Sequence, residues 1–232
     1  MIVSRKQGEM KMPKKNDREY RDMVLAAVER EAEEEDYTGD EKRVEGYATT
    51  FNEPYTLYED DEVRFREQVD PHAFDNTDMG DVIMQYDHEG RVFARTGNNT
   101  LSVNPDEKGL FISADLGGTE IGRNLYEEIR GGYTTKMSFG FIVDSDEELR
   151  SDAEDGRVDF LRTIKSISKL FDVSAVSLPA NEGTSISART QSRIDGVIEE
   201  IRTERSEAER LELERRRAKV RARALGKGVG ND

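Results

Sequence analysis

A chain of 232 residues with 37% charged and 34% hydrophobic residues cannot be core throughout, so one globular domain with charged extensions is expected. A formal charge of −15 opposes non-specific contact with nucleic acid phosphates and favours protein partners. The lack of cysteine excludes disulfides, thiol catalysis and cysteine-ligated zinc and suits a reducing cytosol, and no apolar run approaches the ~20 residues that span a bilayer.

Residues 1–16 mix Lys, Arg and Gly without periodicity and read as an unstructured arm. Asp17 is a potential helix cap, and Tyr20, Met23, Val24 and Ala27 trace a short apolar stripe, predicting a helix from Arg18 to about Glu35. Its Glu-rich end opposes the helix dipole and should fray. Val44 to Phe51 and Val63 to Val69 read as core strands separated by an acidic loop. Asp70-Pro71 interrupts the second, so His72-Ala73-Phe74 opens a turn or short helix.

Val82 to His88 alternates, placing Val82, Met84, Tyr86 and His88 on one face, with a turn at Glu89-Gly90. Thr100 to Val103 and Leu110 to Leu116 form a hairpin across a turn-rich connector. A helix follows, capped by Thr119, with Ile121, Leu125 and Ile129 on one face and Gly131 at the left-handed C-cap position. From Lys136 to Val143, extended chain places Met137, Phe139, Phe141 and Val143 inward and Ser138 on the other face with Lys136, Gly140 and Ile142.

Asp144 to Asp159 is rich in Asp, Glu and Ser and reads as a surface loop. Leu161 to Ser168 alternates imperfectly, and from Phe171 to Leu178 the residues Asp172, Ser174 and Val176 share one face. After Arg189, Ile194, Val197, Ile201, Ala208 and Leu211 recur at three-four spacing, predicting a long charged helix, with the basic cluster from Arg215 to Arg221 as a solvated face. The predicted fold is mainly β with a few helices (α+β), a barrel-like domain over residues 41–190. A partly helical arm (1–40) and a helical tail (191–232) flank it.

Ser138 is a nucleophile candidate because its strand holds it rigidly and Gly140, two residues on, leaves room for a substrate backbone. A serine hydroxyl needs a base, and with two histidines in the chain that base is His72 or His88. His72 follows a proline at a turn; His88 ends an alternating run. The spacing of Asp70, His72, Asp87 and His88 matches no compact metal-ligand motif, and no cofactor is expected.

These residues fall in an order that resembles the prohead serine proteases of tailed bacteriophages, whose fold is similar to that of the herpesvirus assemblins. The matching pieces are Glu45-Gly46-Tyr47-Ala48-Thr49-Thr50-Phe51-Asn52, Pro71-His72-Ala73-Phe74, Asp87-His88 and Lys108-Gly109-Leu110. Met137-Ser138-Phe139-Gly140-Phe141 and the run from Leu170 to Asn181 complete the series, which covers roughly Val44 to Arg189. The resemblance implies a serine endopeptidase with Ser138 as nucleophile, His88 as base and Asp172 as the acidic third member. His72, as in an assemblin-like arrangement, is the alternative third member. The family more often carries glycine at position 72 and glutamate at position 172.

Gly140 and Lys136 would border the substrate. The implied substrates and docking partners are scaffold and major capsid protein chains, and the protease's own termini, inside the assembling prohead in the host cytoplasm. The tail is also a candidate for self-association; membrane and nucleic acid are not expected partners. The alternative from another class is a catalytically inactive assembly or scaffolding protein that keeps the protease fold.

Overall fold

The computed structural model describes residues 18–24, 42–176 and 188–226. In chain order the elements are β1 (Glu19–Val24), β2 (Arg43–Thr50), β3 (Tyr55–Glu59), β4 (Val63–Val69), β5 (Ile83–Tyr86), β6 (Glu89–Arg95), β7 (Leu101–Pro105) and β8 (Gly109–Asp115). Then come α1 (Glu120–Arg130), β9 (Lys136–Asp152), β10 (Val158–Val176) and α2 (Ala188–Gly226). The fold is mainly β with two helices among the described residues, an α+β arrangement, and its sheets do not close into a barrel.

One sheet runs β1-β9-β10-β4-β3, with β5 attached to β10 and β6 to β5; the other is β2-β8-β7. Both contribute to one apolar core: Ala48 of β2, Ile112 of β8, Phe139 of β9 and Val173 of β10 are buried in it with Leu125 and Ile129 of α1. The alternation read along β4 and β9 is the reason, since every second side chain meets the same face. Met137, Phe139, Phe141 and Val143 are all buried. Thr119 caps α1 by accepting from the Gly122 N–H, and the left-handed residue at its end is Gly132 (φ 75°) rather than Gly131 (φ −75°).

Expectations along β9 and β10 change. The acidic segment expected as a loop is the far half of β9, paired with β10 from Asp146 opposite Ile164 to Asp152 opposite Val158. Its composition disfavours strand locally, but β10 supplies a backbone partner along its whole length, and polar side chains suit the exposed face of a ribbon. The imperfect alternation before Asp172 is one strand, β10, whose pairing with β9 shifts register four times; each bulge adds a residue and resets which face the next side chain meets.

The helix expected from Arg18 is also absent where described, because Glu19–Val24 is a strand lying antiparallel on β9. A short amphipathic stripe is weak local information, and an open sheet edge offering six residues of pairing overrides it. The remainder of that predicted helix lies outside the described residues. In the second compact unit, residues 190–232, the described residues up to Gly226 belong to the helix α2, exposed from Arg202 to Arg221, with Leu211 on its surface. No described helix is long and apolar enough to cross a membrane.

Beneath β1 lies a buried charge network. Arg21 donates to Glu67 Oε1 (2.5 Å), Glu67 Oε2 (2.9 Å) and Glu19 Oε2 (2.6 Å). Arg162 of β10 donates to Glu19 and Glu67 at 2.9 and 2.8 Å and to Asp146 of β9, while Tyr55 donates to Glu67 at 2.5 Å. Burial by itself would raise the Glu19 carboxyl, but the guanidinium groups of Arg21 and Arg162 outweigh it and hold it at about 2, below the ordinary 4.5. A carboxylate depressed on folding stabilises the native state above its unfolded value, and this contribution is lost as pH falls through the folded value. Stability to denaturant is therefore expected to fall between about pH 5 and pH 2 by a few kcal/mol from Glu19. The same titration of Glu19→Gln should lack that part of the slope; an unchanged slope would remove Glu19 as its source.

Candidate active site

Asp87 and His88 form the two-residue loop between β5 and β6, with Tyr86 opposite Glu89. Both carry positive φ, 49° and 58°, so the turn falls two residues earlier than Glu89-Gly90 and His88 is a turn residue rather than the last strand position. Two successive left-handed residues are what a tight hairpin of this twist requires, although non-glycine residues adopt that conformation at a cost of about 1–2 kcal/mol each. The surroundings hold it: the Asp87 N–H donates to Ala175 O of β10 at 2.9 Å. Strain of this kind gathers at functional sites.

The turn aims the imidazole across two strands. His88 Nε2 lies 2.6 Å from Ser138 Oγ on β9, and Nδ1 lies 2.6 Å from Asp172 Oδ1 on β10. Since a carboxylate only accepts, Nδ1 carries the proton and donates to Asp172, which leaves Nε2 to accept from the serine hydroxyl. Ser138 and Asp172 are fully buried and the His88 side chain is 18% exposed.

The aspartate reaches the imidazole because the β9 residue opposite it has no side chain. Asp172 is directly opposite Gly140, just past a bulge at Phe171, and a Cβ on Gly140 would lie 2.6 Å from Asp172 Oδ2. The room above Gly140 is thus taken by the Asp172 carboxylate and by the Arg18 guanidinium. Gly140→Ala is expected to displace Asp172, a short side chain with little slack, and to lower any Ser138-dependent cleavage by up to ~10⁴-fold with the circular dichroism spectrum retained. Full activity in that variant would show that the carboxylate can move without consequence.

Three side chains at the site were not singled out by sequence reasoning. Ser174, opposite Ser138 across the β9/β10 ladder, donates to Asp172 Oδ1 at 2.7 Å. Arg18 donates to Asp172 Oδ2, with its guanidinium 4.4 Å from the Phe171 ring centre. The Tyr20 ring meets the His88 ring edge-on at 4.4 Å. Ser174 had a legible signal, sharing Asp172's face at the next alternate position; Arg18 and Tyr20 had none.

Other residues fall elsewhere. His72 is exposed on the turn after β4 and pairs with Asp75 at 3.1 Å. Lys136 begins β9, opposite Val24 and Val176. The Gly131 and Gly132 N–H groups close the end of α1, donating to Glu127 O and Ile129 O at 2.8 and 3.0 Å.

The family model of the caudovirus prohead serine proteases matches residues 27–196, more than half of the chain. The chain belongs to that family. The match contains β2 to β10 with the Ser138, His88 and Asp172 cluster, and it begins after β1. No curated protein and no solved structure matches the chain.

Proposed function

We propose that the chain is a serine endopeptidase of prohead maturation, and the observation that carries this reading is the pair of 2.6 Å contacts linking Ser138, His88 and Asp172. In this mechanism Ser138 Oγ attacks a peptide carbonyl carbon while His88 Nε2 takes the hydroxyl proton. The tetrahedral adduct collapses as the imidazolium gives that proton to the leaving amine, and an acyl-enzyme remains. Water then attacks the ester with His88 again as base, releasing the carboxylic acid and restoring the serine. Asp172 stays ionised, accepts from Nδ1–H and holds the tautomer that leaves Nε2 free to accept; Ser174 fixes the carboxylate in turn.

The substrates in this reading are scaffold and major capsid protein segments and the chain's own termini, cut inside the assembling phage prohead. Gly140 and Lys136 border the bound peptide, and the exposed face of α2 docks the enzyme to scaffold or capsid chains or to a second copy of itself. Family membership supports capsid-related substrates in general. The test is the intact mass of the purified full chain over time, alone and with scaffold protein. Time-dependent trimming that disappears in Ser138→Ala supports the reading; identical mass profiles for the parent and Ser138→Ala would overturn it and favour an assembly protein without catalysis.

A further inference from the structure

Ser138 is 0% exposed even though an endopeptidase must bring a peptide carbonyl against its hydroxyl. What covers the strand is β1. It pairs antiparallel with β9 from Glu19 opposite Phe141 to Val24 opposite Lys136, placing Asp22 directly opposite Ser138. With β10 on its other side, this stretch of β9 would be an open sheet edge without β1, and an open edge accepts an extended peptide through main-chain hydrogen bonds.

We propose that the β9 edge from Lys136 to Phe141 is the peptide-binding site, and that β1 is a built-in plug that must leave before an extended peptide can take its place. The proposal rests on the endopeptidase reading for the chemistry that follows binding, but not for the binding itself.

The two faces of β1 support detachment. Towards the triad, Tyr20 packs on His88 and Arg18 occupies Asp172 Oδ2. That contact is imperfect, because Arg18 Nε is buried without an acceptor, which weakens the docked state. On the other face, Glu19 and Arg21 enter the charge network as one anion and one cation. Their departure leaves Glu67 and Arg162 still paired at 2.8 Å, so the protease domain is not left with a lone buried charge. The family match beginning at residue 27 also leaves β1 outside the shared domain.

The absence of native cysteine allows a reversible lock. In the full chain, Val24→Cys with Lys136→Cys would join β1 to β9 at a directly opposed pair. The probe is a fluorescein-labelled peptide with the sequence of residues 17–25, titrated by anisotropy into this variant carrying Ser138→Ala, oxidised and reduced. A second arm uses Arg18→Ser/Tyr20→Ser with Ser138→Ala.

The expected result is at least about tenfold weaker peptide binding in the oxidised form than in the reduced form, and at least about tenfold tighter binding in Arg18→Ser/Tyr20→Ser than in the parent. In the Ser138-containing versions, hydrolysis of a scaffold protein should stop on oxidation and return on reduction. Equal peptide affinity in all forms, hydrolysis by the oxidised form at the reduced rate, or failure of the disulfide to form would each overturn the plug. If binding switches as expected while no form hydrolyses anything, the plug stands and the endopeptidase reading falls.

Discussion

Ser138→Ala and His88→Ala are each expected to lower peptide-bond cleavage by about 10⁴- to 10⁶-fold, or about 5–8 kcal/mol of transition-state stabilisation. Without Oγ no acyl-enzyme forms; without the imbidazole's nitrogen 2.6 Å from it, the hydroxyl keeps its proton. Asp172→Asn should cost less, roughly 10²- to 10⁴-fold, because the imidazole can still accept a proton from a poorer tautomer. The three act as a unit, so Ser138→Ala/Asp172→Asn should be hardly slower than Ser138→Ala alone. His72→Ala should leave cleavage nearly unchanged, since that ring is solvent-exposed and paired with Asp75. The measurement is hydrolysis by variants with matching circular dichroism spectra at equal concentration. Full activity in Asp172→Asn would remove Asp172 from the mechanism, and full activity in Ser138→Ala would overturn the nucleophile.

Arg162→Met is expected to be the most destabilising single change in the charge network, by about 3–5 kcal/mol. Arg162 reaches Glu19, Glu67 and Asp146 at once, and its loss leaves the buried Glu19 and Glu67 carboxylates sharing the Arg21 guanidinium, with the neutral Tyr55 hydroxyl still donating to Glu67. Burial disfavours the charged form of both carboxylates, and the two guanidinium groups reverse that effect; with one gone, part of the desolvation cost is uncompensated. Replacing the pair, Glu67→Met/Arg162→Met, should cost less than Arg162→Met alone, because the buried Glu19 and Arg21 stay paired with each other and Asp146, which also loses Arg162, is partly exposed. Thermal unfolding reads both: a drop of roughly 6–20 °C is expected for Arg162→Met. Additive losses in the double variant would show that the two side chains do not depend on each other.

Alternation in the sequence by itself determined the mainly β fold, the hairpin of β7 and β8, the Thr119 cap and the face on which Ser138 stands, because each of these depends on residues a few positions apart. It also brought Ser138, His88 and Asp172 forward as candidates, through residue chemistry and an order of motifs that resembles a family. Tertiary structure decided what depends on partners distant in the chain. The acidic half of β9 is strand because β10 runs beside it; Asp172 meets His88 because a bulge in β10 and the missing side chain of Gly140 coincide; Asp87 and His88 adopt left-handed backbone because the hairpin demands it. The chain from Glu19 to Val24 is the clearest case. Its local pattern favours a helix, and only the unfilled edge of a strand more than a hundred residues away, with Glu67 and Arg162 waiting beneath it, makes it the strand that covers Ser138.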